Sequence, residues 1–179
     1  MTKFSNDIVH TRFATPLGDM FAAASGSGIV GLWFHDQRHL PPQLAADNSH
    51  AAWPRDDHHP LLVQARQQAQ EYLRGERSGF DLPLDLSAGT AFQQSVWQAL
   101  LRIPRGKTTS YGSLARTIGN VQAVRAVGAA VGRNPLSVAV PCHRVLGSDG
   151  GLTGYAGGLE RKTALLRLEG VATPEPITS

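Results

Sequence analysis

The sequence of 179 residues contains a single cysteine, Cys142. One thiol excludes an internal disulfide framework, a zinc site built on two or more cysteines, and a redox pair of cysteines. No apolar run approaches the roughly 18 residues that span a bilayer, and the N-terminal residues include no apolar signal segment. These absences predict a cytoplasmic protein with no membrane partner.

Charged residues are also few, at 17% of the chain, whereas hydrophobic residues make up 41%. This composition is typical of a globular protein, and the length fits one domain or two small ones. The formal net charge is +3. Such a mild basic excess permits a polyanionic partner without requiring one.

The motifs that suggest a cofactor or a metal fail on their context. The run 26–31 matches G-x-G-x-x-G, but Leu32 continues a strand where a dinucleotide-binding fold needs a helix. His35 and His39 have the spacing of helical metal ligands, yet they lie in a proline-flanked loop and have no third ligand. We therefore expect neither a cofactor nor a metal.

The first half of the chain predicts a sheet followed by a helix. Residues 11–24 and 28–34 are apolar runs separated by turn residues, which is typical of an antiparallel hairpin or meander. Residues 35–59 lack a pattern and predict a long surface loop. Helical spacing over 61–74 predicts a helix, and alternation over 80–86 predicts a further strand.

The second half predicts helices. Thr90 and Gln93 match a capping box at the start of one helix. Ser110 is placed to cap a short helix that ends at Gly119, and residues 122–132 form the next helix after a brief turn, which together predict a helix-turn-helix. The last predicted helix covers 159–169, with Gly170 as its C′ residue.

Two interpretations of Cys142 are open. It follows a short apolar run at 138–140 that suits a buried strand, so it could be an ordinary core cysteine. Pro141 breaks that strand, however, and the potential cations His143 and Arg144 would lower the thiol pKa and favour a reactive thiolate. A Cys–His pair between sequence neighbours needs a sharp backbone turn or a bridging water.

Glu169 lies in the last turn of a predicted helix, where a carboxylate opposes the helix dipole. Such a broken rule indicates either a functional residue or a solvated side chain at a frayed helix end.

The predicted helix 122–132 has two unlike faces. Val124, Val127 and Val131 should face the core. The opposite face carries Gln122, Arg125, Ala129 and Gly132. One arginine among small side chains allows close approach to nucleic acid, although an ordinary alanine-rich solvent face explains the pattern equally.

Residues 141–145, Pro-Cys-His-Arg-Val, resemble the active-site signature of the O6-alkylguanine-DNA alkyltransferases, also called methylated-DNA–protein-cysteine methyltransferases. Matching segments follow the family's order at 92–97, 109–112, 123–128, 133–135, 154–158 and 165–170. The resemblance is strong over about residues 82–170. In the N-terminal third only the layout matches.

This resemblance implies an α+β fold with two domains. Residues 1–87 would form a small ribonuclease-H-like antiparallel sheet with a helix. Residues 88–179 would form a mostly helical domain with a winged helix-turn-helix. The implied partner is double-stranded DNA carrying O6-alkylguanine, bound through the minor groove by a monomer with the damaged nucleotide flipped out. O4-alkylthymine is a further candidate substrate.

The resemblance also assigns roles to individual residues. Cys142 would accept the alkyl group, His143 would deprotonate it through a water, Glu169 would orient His143, and Asn134 would brace the turn before the active site. The substrate-binding residues would be Tyr111, Ser137, Val145, Tyr155 and Ala156. The DNA-binding residues would be Gln122, Arg125, Ala126, Ala129 and Gly132, with Arg125 filling the space of the flipped base. Some members have proline at position 137 and serine at position 156.

The expected reaction consumes the protein, because a thioether has no water-activated route back to a thiol. Two other classes stay open at this point. A non-enzymatic helix-turn-helix regulator could use Cys142 as a redox sensor, and a cysteine hydrolase would turn over many substrates.

Overall fold

In the computed structural model, which describes residues 3–45 and 52–173, the chain divides into two units, Met1–Ala88 and Gly89–Ser179. Among the described residues, no helix combines the length and the apolar character needed to cross a bilayer.

The first unit contains an antiparallel meander of three strands in the order β1-β2-β3, which confirms the predicted sheet. The strands are β1 (Val9–Phe13), β2 (Met20–Ser25) and β3 (Gly28–Phe34). The glycine-rich run 26–31 supplies the β2–β3 turn and the start of β3, as its context predicted. Gly31 is needed there, because a Cβ atom would lie 1.8 Å from the Trp33 ring.

Helix α1 (Pro60–Leu73) packs on the sheet. It matches the predicted helix 61–74 within one residue at each end. Leu62, Ala65, Ala69 and Tyr72 are its buried face, at the spacing that places side chains on one side of a helix. Gly75 follows with φ 76° and ends the helix.

The prediction of a surface loop over 35–59 was wrong in part. Residues 42–44 form a 3-10 helix, and Leu44 and Trp53 are buried in an apolar cluster with Trp33. This segment is mostly polar, but burial of the large apolar side chains of Leu44 and Trp53 anchors it to the core. Residues 46–51 of this loop lie outside the described residues.

The predicted strand at 80–86 is also wrong, since only Leu84 forms a bridge, to Ile29. The Ile29 amide donates to the Pro83 carbonyl at 2.8 Å, and the Asp85 amide donates to the Ile29 carbonyl at 2.8 Å. Pro83 has no N–H with which to extend this pairing into a ladder.

The second unit begins with α2 (Ala91–Leu100), whose predicted capping box is present. The Thr90 hydroxyl accepts from the Gln93 amide at 3.1 Å, and the Gln93 side chain accepts from the Thr90 amide at 3.0 Å. The indole N–H of Trp97 donates to the Ala130 carbonyl at 2.9 Å, which ties α2 to a later helix.

The predicted helix-turn-helix consists of α3 (Tyr111–Thr117) and α4 (Val124–Gly132). Ser110 caps α3 as predicted, and Gly119 follows it with φ 77°. Just before α3, β4 (Thr109–Ser110) pairs in parallel with β5 (Val145–Leu146).

Helix α4 begins two residues later than predicted, so Gln122 lies in the preceding turn and not on the helix. Val127 and Val131 are buried, but Val124 is 38% exposed, which corrects the prediction that it faces the core. Val124 is the first residue of the helix, following a turn closed by the Ala123 amide on the Asn120 carbonyl at 3.1 Å.

The last helix, α5 (Leu159–Leu168), ends close to the prediction. Glu169 is its C-cap residue, and Gly170 follows with φ 81°, the left-handed conformation of a C′ glycine.

Candidate active site

A braced loop leads from α4 to Cys142. Residues 138–140 were predicted as a buried strand; they are buried, but they form turns instead. The Asn134 amide group donates to the Val140 carbonyl at 2.9 Å, and its oxygen accepts from the Leu136 amide at 2.9 Å. Val138 has φ 73°, which is costly for a β-branched residue, so the surrounding contacts must enforce it.

The chain then turns sharply through a 3-10 helix, Cys142–Arg144. Cys142 is 6% exposed and His143 is fully buried. Cys142 is therefore as buried as a core cysteine, but its neighbours form a polar network. This turn meets the requirement for placing a cysteine and an adjacent histidine in one site.

Glu169 organises that network from the end of α5. Its Oε2 lies 2.9 Å from His143 Nε2. Its carboxylate also accepts from Arg144, with Nε on Oε1 at 2.9 Å and Nη2 on Oε2 at 2.9 Å. Glu169 is 5% exposed, which excludes the frayed-end interpretation.

Arg144 neutralises Glu169 rather than activating the thiol. Its guanidinium forms a two-pronged pair with the carboxylate, the strongest type of charge-assisted contact, and Nη1 donates to the Ile103 carbonyl at 2.6 Å. The expectation that Arg144 lowers the pKa of Cys142 is therefore wrong, because its guanidinium is committed to Glu169.

His143 is suited to act as a base. Burial lowers its pKa, against the opposing influence of the Glu169 carboxylate, so the imidazole is neutral near pH 7. Donation of the Nε2 proton to Glu169 fixes the tautomer and leaves a lone pair on Nδ1. Nδ1 is buried and has no hydrogen-bond partner among the described residues.

The environment of Cys142 differs from the sequence prediction. Burial raises the pKa of the thiol, whereas the Asn134 side chain and the charge of Lys162 favour the thiolate. The cation that assists Cys142 is thus Lys162, which lies 20 residues away in sequence, and not an adjacent residue.

Lys162 was missed by the sequence analysis. Its side chain is fully buried on α5, and Nζ donates to the Val145 carbonyl at 2.7 Å and the Thr153 carbonyl at 2.9 Å. A signal was available, because Lys162 precedes the buried Leu165 and Leu166 by three and four residues and so shares their helix face.

The predicted substrate-binding residues differ in burial and in their contacts. Ser137 is 1% exposed and Val145 is fully buried. The Tyr155 hydroxyl is buried near Ser137 and Cys142, and burial raises the pKa of Tyr155 well above its ordinary value. Tyr111 lies at the start of α3, and its hydroxyl accepts from the Thr153 hydroxyl at 3.3 Å.

Ala156 is half-buried and directly follows Tyr155 in the chain. No group of three or more His, Cys, Asp or Glu side chains suited to a metal ion occurs within residues 3–45 and 52–173.

The predicted DNA-binding residues lie on and before α4. Gln122, Arg125, Ala126 and Ala129 are exposed, and Gly132 is half-buried. A Cβ atom on Gly132 would meet nothing within 4 Å. Within this predicted set, Ala126, Ala129 and Gly132 are small, and Arg125 is the one cation.

Two family models cover this chain. The ribonuclease-like domain of 6-O-methylguanine DNA methyltransferase matches residues 8–86, and the DNA-binding domain of the same family matches residues 91–171.

The relatives agree with these models. Methylated-DNA–protein-cysteine methyltransferase of Mycobacterium tuberculosis is 44% identical over 96% of this chain and 98% of its own. The constitutive enzyme of that name from Bacillus subtilis is 42% identical over 93% of this chain and 98% of its own. The crystal structure of the M. tuberculosis O6-methylguanine methyltransferase matches with a TM-score of 0.77 at 42% identity, covering 95% of this chain and 97% of that one. This chain therefore belongs to the 6-O-methylguanine DNA methyltransferase family.

Proposed function

We propose that this protein is a methylated-DNA–protein-cysteine methyltransferase that repairs DNA directly, by moving an alkyl group from O6 of guanine to Sγ of its own Cys142. The observation that carries the proposal is the buried network around the chain's one thiol. His143 is held by Glu169 through Nε2 and keeps Nδ1 available as a base. The family relationship agrees with this chemistry and favours it over a non-enzymatic DNA-binding regulator.

The proposed reaction balances without a cofactor. His143 Nδ1 takes the proton of the Cys142 thiol through a water molecule, and the thiolate attacks the alkyl carbon. The bond from that carbon to O6 breaks, and its electron pair stays with guanine. The proton carried by His143 then passes to the guanine. The products are unmodified guanine and S-alkylcysteine, so each molecule reacts once.

The remaining residue roles are part of the proposal. Asn134 braces the loop that carries Cys142. Tyr111, Ser137, Val145, Tyr155 and Ala156 line the site for the flipped guanine. Tyr155 interacts with Ser137 and Cys142, and Lys162 Nζ donates to the Val145 carbonyl at 2.7 Å, which supports a common site for Ser137, Val145 and Tyr155.

DNA binds along α4 in this proposal. A helix that exposes Ala126, Ala129 and Gly132 can approach a duplex closely, and Arg125 is long enough to enter the stack in place of a flipped base. The solved structure of the M. tuberculosis relative in complex with DNA, with a TM-score of 0.78 at 42% identity over 93% of this chain and 96% of that one, supports DNA as the partner.

We further propose that the protein binds the minor groove as a monomer and works in the cytoplasm, with residues 1–87 and 88–179 as its domains. A reducing compartment keeps a lone functional thiol free for transfer.

Mass spectrometry after incubation with O6-methylguanine DNA tests the acceptor, the site and the stoichiometry together. We expect one methyl group per molecule, on Cys142, and a plateau of repaired guanine at one per protein when the lesion is in excess. Cys142→Ala should accept no methyl group and should still bind DNA. A methyl group on another residue would refute the assignment of Cys142 as the acceptor. Repair beyond the plateau would indicate a hydrolase. A wild-type protein that accepts no methyl group would indicate a regulator.

A further inference from the structure

Thr153, which the sequence analysis did not single out, joins two parts of the candidate site through its side chain. Its hydroxyl donates to the Tyr111 hydroxyl at 3.3 Å, across 42 positions of sequence. Tyr111 is the first residue of α3, whereas Thr153 lies in the segment that leads to Tyr155. The contact therefore links the helix-turn-helix to the segment that carries a predicted substrate-binding residue.

The position of the Thr153 side chain is set by its surroundings. A Cβ atom on Gly147 would lie 3.0 Å from Cγ2 of Thr153, so the methyl group rests close to the Gly147 backbone. Gly147 directly follows β5, and β5 pairs with β4, which directly precedes Tyr111. A threonine has few χ1 rotamers, so packing of its methyl group also fixes the direction of its hydroxyl.

The Tyr111 ring lies next to the surface of α4 on which we place DNA. A Cβ atom on Gly128 would lie 3.8 Å from Cδ1 of Tyr111. Gly128 follows Arg125 by three residues, so the two share one side of the helix. Tyr111 is half-buried, which leaves it accessible to a ligand. A nucleotide that leaves a duplex on this side of α4 thus comes close to the Tyr111 side chain.

The hydrogen bond from Thr153 determines what the Tyr111 hydroxyl can do. A phenolic hydroxyl has one proton to donate and lone pairs to accept. Thr153 uses a lone pair, and the hydrogen bonds found within residues 3–45 and 52–173 include no acceptor for the Tyr111 proton. Accepting one hydrogen bond also makes a hydroxyl a stronger donor. A flipped guanine nucleotide offers acceptors of two kinds, ring nitrogens and phosphate oxygens.

We propose that Thr153 is a positioning residue, which holds the Tyr111 hydroxyl so that it donates its proton to an acceptor atom of the flipped nucleotide. This inference rests on the proposed function, because it assigns the Tyr111 hydroxyl a donor's part in binding that substrate. It gives both ends of the Thr153 side chain a task, since the methyl group sets the rotamer and the hydroxyl aligns Tyr111.

A double-mutant cycle tests whether Thr153 acts through Tyr111. Thr153→Val keeps the shape of the side chain and removes the hydroxyl, so single-turnover transfer from duplex O6-methylguanine DNA should slow by about five-fold. Thr153→Ser should restore transfer. In a Tyr111→Phe background, Thr153→Val should have no further effect, because the partner hydroxyl is already absent. Equal losses in the two backgrounds would overturn the proposal.

Two small reagents locate the acceptor. If Tyr111 donates to the base, Thr153→Val should also slow the reaction with the free base O6-benzylguanine; if it donates to a phosphate, only transfer from DNA should slow. No loss with either substrate would overturn the proposal. Iodoacetamide, which alkylates Cys142 without binding a base, should react at the wild-type rate, and a slower reaction would show that the substitution acts on the thiol instead.

The matched control is Thr108→Val, which changes another exposed threonine of the same unit and should leave all these rates unchanged. Thr153 is itself exposed, so its substitution should leave the protein folded.

NMR tests the contact independently of the proposed function. The chain has three tyrosines, Tyr72, Tyr111 and Tyr155, so labelling with ¹³C at tyrosine Cζ gives few signals, and Tyr111→Phe identifies the one of interest. That signal should shift in Thr153→Val and stay in place in Thr108→Val. An unmoved signal would overturn the contact. If the signal shifts but wild-type protein accepts no methyl group from DNA, the proposed function fails while the contact stands.

Discussion

At the scale of single residues, the site depends on charges that are buried but shared. Glu169 accepts hydrogen bonds from both Arg144 and His143. The Arg144 guanidinium balances the negative charge of the Glu169 carboxylate. Burial therefore has the largest effect on the pKa of His143 and keeps the imidazole neutral. A base of this kind is more useful near pH 7 than an imidazolium held by an unshared carboxylate.

Glu169→Gln should slow alkyl transfer by about 100-fold, because the orienting contact to the base is weakened. It should also lower the free energy of unfolding by about 3 kcal/mol, since Arg144 keeps a buried charge without its carboxylate. Single-turnover rates, DNA affinity and urea unfolding measure these effects. Glu160→Gln, an exposed carboxylate on the same helix, is the control. Unchanged transfer with lowered stability would make Glu169 purely structural.

The pH dependence of transfer should report His143. The pKa of His143 is lowered, so its imidazole is still neutral at about pH 6.5, which is the ordinary pKa of histidine. The wild-type rate should therefore fall only at more acidic pH. His143→Gln has no base, so its rate should rise with pH towards the raised pKa of Cys142. Reaction with O6-benzylguanine over about pH 5 to 9 separates the two profiles. Parallel profiles would show that His143 does not take the proton.

At the scale of elements, α4 has a buried face and an exposed face of different composition. Val127, Ala130 and Val131 are buried, and the Ala130 carbonyl accepts from Trp97 of α2. Apart from Val124 at its first position and Arg125, the exposed residues of α4 are the small Ala126 and Ala129. Rigid support on one side and a low profile on the other suit a helix that lies against a duplex.

Arg125→Ala distinguishes insertion into the base stack from contact with a phosphate. If Arg125 replaces the flipped base, transfer from duplex DNA should fall steeply while reaction with free O6-benzylguanine stays near normal. If Arg125 contacts only a phosphate, binding to all DNA should weaken and the salt slope should fall by about one. Arg102→Ala, another exposed arginine of this unit, is the control. An unchanged ratio of duplex to free-base rates would exclude a role in flipping.

At the scale of the whole molecule, each unit contains a histidine whose pKa is lowered, chiefly by burial. His10 lies in the first unit and His143 in the second. In the unfolded chain both regain the ordinary pKa of about 6.5. Below that pH the unfolded state binds more protons than the folded state, so folding becomes less favourable.

The free energy of unfolding should therefore be insensitive to these two groups above about pH 6.5 and fall as the pH decreases towards their lowered values. Urea unfolding at several pH values measures the slope. His10→Gln should reduce the slope, whereas His35→Gln, which removes an exposed histidine, should not. Equal slopes in wild type and His10→Gln would show that His10 does not contribute to acid sensitivity.

The sequence by itself determined the parts of this protein that depend on near neighbours in the chain. The meander follows from apolar runs and turn residues, and α2 from the reciprocal Thr90 and Gln93 cap. The helix-turn-helix follows from the Ser110 cap and Gly119. Each signal spans only a few residues, so periodicity and capping chemistry suffice to read it. The signature around Cys142 is equally local.

Only the tertiary structure decided which side chains meet. Arg144 could be read as a cation for its neighbour Cys142, yet it is paired with Glu169, which is 25 residues away. Lys162 extends from α5 to the Val145 carbonyl, close in sequence to Cys142. The apolar residues 138–140 predicted a strand, but they form turns, and the Asn134 side chain donates to the Val140 carbonyl there. Burial sets the pKa values of Cys142, His143 and Lys162, and burial depends on how distant segments pack, which no local pattern encodes.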